Sequence, residues 1–159
     1  MRVPLYLAEQ HVAFETLIHP PAFTSQKRAK FLAVSGKQVA KCVLLTGPAG
    51  YFLAVLPATH RVDTDVLSRV FGGPVGVAGS DDVAEIFRDC EWGVVPPFGS
   101  LYGLTTLLDD AFAPDSFLIF EGYSHAQAFR VHLRDFERLE QPFRAHFAIP
   151  KQPAGYRGR

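Results

Sequence analysis

The chain has 159 residues, 48% apolar and 20% charged, a composition that fits one folded domain rather than a disordered chain. Sixteen basic and sixteen acidic residues cancel, so neither a uniformly basic nor a uniformly acidic protein is present. No apolar run approaches the ~20 residues that cross a bilayer, and the first nine residues have no signal-peptide pattern, so a cytoplasmic protein without membrane contact is expected.

In chain order, Pro4 to Gln10 has the pattern of a short helix with proline in its first turn. Val12 to Ile18 alternates like a strand, which His19-Pro20-Pro21 breaks. Thr24 or Ser25 caps a helix over 26–34, with Ala29, Leu32 and Ala33 inward and Ser35-Gly36 ending it. Gln38 to Leu45 and Tyr51 to Leu56 form a hairpin around Gly47-Pro48-Ala49-Gly50. Asp63 or Thr64 caps a helix over 65–71, Gly72-Gly73-Pro74 stops it, and 75–77 is a short strand. Ser80 caps a helix over 81–87, with acids in the first turn where the helix dipole favours them. Residues 93–99, Gly-Val-Val-Pro-Pro-Phe-Gly, form a rigid loop of no regular period. Strands follow at 104–108, 117–120 and 127–131, then a helix over 134–139. The sum is a single α+β domain over 1–150, with a loose basic tail over 151–159.

The cancelling charges are segregated. Residues 16–62 hold Lys27, Arg28, Lys30, Lys37, Lys41 and Arg61 and no acid, whereas 63–121 hold eleven acids against Arg69 and Arg88. Residues 122–159 return to seven basic against three acidic. Such blocks fit either a polyanionic partner met locally or three solvated faces.

Four features carry chemistry. Lys41 alternates with Val43 and Leu45, so it shares a face that looks inward; it is either an anchor for an anion or an edge-strand charge that blocks aggregation. The loop from Gly93 to Gly99 either presents backbone N–H and C=O groups to a ligand or stiffly connects two elements. Thr59-His60 precedes a capped helix and fits loop structure better than catalysis. Tyr123-Ser124-His125 pairs a hydroxyl with an imidazole, yet no nucleophile elbow surrounds Ser124, so a pocket lining is favoured over a nucleophile. Cys42 and Cys90 lie at no zinc spacing and fit small buried side chains. His11, His19, His132 and His146 have no partner at metal spacing. There is no phosphate-binding loop, dinucleotide fingerprint or HExxH, so no metal or cofactor is expected.

Thr24-Ser25 opening a helix, Ala40-Lys41 on the next strand, the run from Leu56 to Asp63, and the 93–99 loop followed by Tyr102-Gly103-Leu104 together resemble the YbaK/EbsC family of aminoacyl-tRNA deacylases. That family is related to the editing domain of bacterial prolyl-tRNA synthetases, and the likeness spans about residues 4–142. It implies a barrel-like mixed sheet surrounded by short helices. It also implies trans-editing, the hydrolysis of the ester between a wrong amino acid and tRNA, with the terminal ribose hydroxyl assisting. By resemblance, Lys41 stands near the ester or terminal phosphate, and Gly93 and Gly99 bound the loop that orders the reacting groups. Val94, Val95, Pro96, Pro97 and Phe98 line the substrate, with Thr59 and His60, while Tyr123, Ser124 and His125 close the amino-acid pocket. Lys27, Arg28 and Lys30 would meet the acceptor stem, and a synthetase is a further possible partner; DNA is not. Cys42 stands where one branch of the family often has asparagine, and Tyr123-Ser124-His125-Ala126 replaces a His-Pro segment, so the amino acid is left unnamed. Two other readings stay open: a tRNA- or synthetase-binding module without catalysis, and a small-molecule ester or thioester hydrolase.

Overall fold

The structure, a computed structural model, describes residues 2–151. Of the loose tail expected over 151–159, residues 152–159 lie outside the described residues, and Lys151 is not loose, because its N–H donates to the Thr59 carbonyl. No helix among the described residues is long and apolar enough to cross a membrane.

Helix α1 (Arg2–Glu9) packs Val3 and Leu7 into the core and leads to strand β1 (Glu15–Ile18). Helix α2 (Ser25–Leu32) is capped by Thr24, whose side chain accepts the N–H of Lys27 at 3.1 Å. Strands β2 (Ala40–Gly47) and β3 (Gly50–Pro57) form the expected hairpin, with Pro48-Ala49 at its tip. Gly50 carries a φ of 113°, which a side chain would strain. Strand β4 (His60–Val62) leads into α3 (Thr64–Phe71), where Asp63 accepts the N–H groups of Asp65 and Val66. Then come β5 (Gly76–Val77), α4 (Ser80–Ile86), the Gly/Pro loop, β6 (Thr106–Asp109), β7 (Phe117–Glu121), β8 (Gln127–His132), α5 (Leu133–Glu140), β9 (Phe143–Ala145) and β10 (Ala148–Pro150).

The α+β class is as the sequence implies, but the strands close no single barrel. Among the described residues they divide into sheets ordered β5-β2-β3-β6-β9, β1-β8-β7 and β10-β4. The larger two meet at a parallel bridge between Val39 and Ile119. In the largest sheet the β2–β3 hairpin is antiparallel, whereas β3–β6 and β6–β9 are parallel. Eight of the fourteen phenylalanines are buried. Phe98 meets Phe120 and Phe136 edge-on at 5.5 and 5.2 Å, so the main core is aromatic.

Three local expectations are corrected. Ser80 is the first residue of α4 rather than its cap; Gly79 takes that place and offers no side-chain bond. Arg28 joins Ala29 on the buried face of α2, because a carboxylate waits there; Leu32 packs half-buried beside Ala29 as expected, whereas Ala33 is exposed. Strands β4, β9 and β10 are three residues each, too short for alternation to reveal.

Candidate active site

The beginnings of α2 and β2, the Gly93 end of the loop and the end of β7 surround a cavity of about 240 Å³. The strand pattern sets which residues enter it. Val43 and Leu45 face a second core cluster while Ala40, Cys42 and Leu44 face the main one, so Lys41 begins an otherwise apolar face. Its amine opens into the cavity beside Lys151. Burial foremost, and then the charge of Lys151, hold the Lys41 ammonium below the ordinary lysine range. Lys151 is held there by its own backbone N–H, which donates to the Thr59 carbonyl at 2.9 Å.

Arg28 enters from α2. Its guanidinium is buried, donates to the carbonyl of Ala22 and forms an ion pair with Glu121 at the end of β7. Burial pushes the Glu121 carboxyl up, opposed by Arg28, His125 and the N–H of Val95. Three basic groups thus face one carboxylate, and the cavity suits a phosphate or a developing oxyanion. Cys42 also lines it; burial, then the charge of Glu121, pushes its thiol far up, so it is no thiolate nucleophile.

The Gly/Pro loop divides in two. Gly93 is exposed with a φ of 88°, and it lines the cavity with Val95. Val94, Pro96, Pro97, Phe98 and Gly99 are buried; Phe98 sits in the core and Gly99 donates to Thr106 Oγ1 at 3.1 Å. A Cβ on Gly99 would lie 2.4 Å from that oxygen. Thr106 Oγ1 in turn donates to Glu140 at 2.7 Å, so this end of the loop is fastened to α5 and not offered to a ligand.

His125 forms the wall behind Gly93. Its Nε2 lies 2.7 Å from the Trp92 carbonyl oxygen, its Nδ1 3.4 Å from Glu121, and its ring 4.8 Å from that of Phe23. Ser124 accepts the N–H of Ala126 at 3.1 Å, and Tyr123 packs on Phe129, so neither shapes a nucleophile. Thr59 and His60 bond each other at 2.8 Å and do not line the cavity; the Thr59 backbone anchors Lys151 instead. Lys27 and Lys30 are exposed on α2, whereas Arg28 points inward and is absent from that face.

Sequence reasoning missed Glu121 and Lys151. The spacing Glu121 to His125 across Gly122 was a usable signal; nothing in the sequence placed Lys151 against the cavity. A wider depression of about 580 Å³ is lined by Arg2 and Arg88 against Asp82 and Glu85, so its charges balance, and it holds none of the expected residues. Asp109, Asp110 and His146 also gather within 4.8 Å, but Asp109 spends its oxygens on the N–H groups of Ala111, Phe147 and Ala148.

The model of the aminoacyl-tRNA editing domain matches residues 19–139, which contain every cavity residue described above except Lys151. The chain belongs to the aminoacyl-tRNA editing domain family. The activity of that family is aminoacyl-tRNA editing, and its class of substrate is aminoacyl-tRNA. Solved structures agree on the fold. A hypothetical protein superimposes with a TM-score of 0.83 at 19% identity, over 94% of this chain and 100% of its own. A candidate trans-editing enzyme for prolyl tRNA synthetase gives 0.80 at 22%, over 93% and 95%. A candidate signal transduction protein from Marinobacter aquaeolei VT8 gives 0.73 at 15%, with the likeness covering 94% of this chain and 31% of that one. No curated protein matches the sequence.

Proposed function

We propose that the protein is a trans-editing hydrolase that removes a wrongly attached amino acid from tRNA. The observation that carries this reading is the pair Lys41 and Lys151 in one cavity with Gly93 and Glu121. Water adds to the ester carbonyl, the carbonyl oxygen becomes anionic, and the C–O bond to the ribose then breaks. The ribose oxygen leaves with one proton of the water, the other passes to solvent, and the free amino acid departs as a carboxylate. Lys41 is suited to meet the negative charge, either on the terminal phosphate or on the tetrahedral oxyanion, and a half-dry site strengthens that contact. Gly93 leaves the approach to the ester open where a side chain would intrude. Glu121 holds Arg28 and His125 in place.

The ribose hydroxyl of the substrate, implied by the resemblance to assist, takes part in the proton transfer. Neither Ser124 nor Cys42 is arranged as a nucleophile, in keeping with water attack. The test is release of amino acid from a panel of mischarged tRNAs. Lys41→Ala lowers kcat/KM by about 10²-fold or more if the amine meets charge that develops in the reaction. Absence of release from every substrate, or full activity in Lys41→Ala, refutes the reading. Turnover of free amino-acid esters as fast as of charged tRNA would favour a small-molecule hydrolase instead.

A further inference from the structure

The cavity does not end at Gly93. Cys42, Gly93 and Val95 form a wall shared with a second cleft of about 200 Å³. Val77, Val83 and Trp92 line that cleft, with Ser80. Unlike the first cavity it holds no ionisable group except the Cys42 thiol. Two of its large apolar side chains face solvent: Trp92 is 66% exposed and Val77 68%. A largely exposed tryptophan beside a cationic cavity is an arrangement by which proteins hold single-stranded nucleic acid, the cations taking phosphate and the ring taking a base. An amino-acid side chain sorted to within a methylene needs an enclosed, close-packed pocket, which an open slot cannot supply. We infer that the cleft between Trp92 and Val77 receives an unpaired nucleobase of the tRNA 3′ end, stacked on the Trp92 ring while the Lys41 cavity holds the adjoining phosphate or ester. The inference rests on the proposed function for the identity of the RNA.

Trp92 is the single tryptophan of the chain, so its emission reports on the cleft alone. The probe is the unacylated trinucleotide cytidine-cytidine-adenosine, titrated while Trp92 fluorescence and the anisotropy of a dye on the trinucleotide are followed. Saturable binding with quenching is expected. Trp92→Ala weakens binding about tenfold, and Trp92→Phe restores most of it, because stacking needs a ring and not the indole N–H. The melting transition of each variant shows that it is folded. Binding without quenching, no saturable binding, or equal affinity in Trp92→Ala overturns the stacking site. Quenching only by aminoacylated RNA also overturns it, since the cleft would then hold the amino acid. Deacylation by wild type and Lys41→Ala, measured on the same preparations, reports on the catalytic reading separately.

Discussion

Arg28 and Glu121 form a buried ion pair across 93 residues of sequence, and this pair ties α2 to the end of β7 beneath the cavity. Removing one partner strands the other charge. Arg28→Met should cost about 3 kcal/mol of stability. Adding Glu121→Leu should return most of that loss, because two apolar side chains of similar volume replace the pair. Urea unfolding of the two variants measures both; equal stability of Arg28→Met and wild type would show that the pair does not hold the cavity together.

The two glycines that bound the loop should respond differently. Gly99→Ala forces a Cβ against Thr106 Oγ1 and should cost roughly 1–3 kcal/mol while leaving kcat near that of the wild type in the folded fraction. Gly93→Ala strains a left-handed φ by about 1–2 kcal/mol and places its methyl 3.6 Å from His125 Nε2, at the edge of the cavity. It should lower kcat/KM beyond what its stability explains. Steady-state kinetics beside thermal melts separate the cases.

The depressed Lys41 titration predicts how binding varies with pH. The ammonium is disfavoured in the fold, so at pH values between its folded pKa and the unfolded value of 10.5 the unfolded chain binds more protons. Stability from this group therefore rises with pH through that window and falls as pH drops through the folded pKa. A bound phosphate acts oppositely by favouring the charged amine. Affinity for tRNA should fall as pH rises through the folded pKa, and Lys151→Ala should move that fall to higher pH by removing the like charge. Lys41→Met should abolish this step. Dissociation constants across an alkaline pH series provide the check.

Lys27 and Lys30 lie exposed on α2, close in sequence to the cavity-lining Thr24 and Ser25. Reversing both to Glu should raise KM for charged tRNA and reduce the slope of log K against log salt by about one per lysine in contact with phosphate. An unchanged salt slope would remove α2 from the RNA-facing surface.

The sequence disclosed the long elements and half of the cavity. The β2–β3 hairpin, the Thr24 cap and the Asp63 cap have strong local chemistry, and the structure holds all three. Lys41 was recognisable because a charge on an apolar strand face needs a reason. Arg28 lies off the face expected of it because charge density along a chain says nothing about direction; a single residue step, about 100° of helix rotation, separates the exposed Lys27 from the buried Arg28. Lys151 and Glu121 could not be paired with Lys41 from sequence, since the β10–β4 pairing and the Val39–Ile119 bridge bring them there over long separations.

The parallel pairings carry a kinetic consequence. β3 joins β6 between Leu53 and Thr106, and β6 joins β9 between Leu107 and Phe143. Such long loops are closed late and slowly, whereas the β2–β3 hairpin that bears Lys41 is local and forms early. The two sides of the cavity therefore arise at different times, and refolding should restore the hairpin well before it restores the ability to bind RNA.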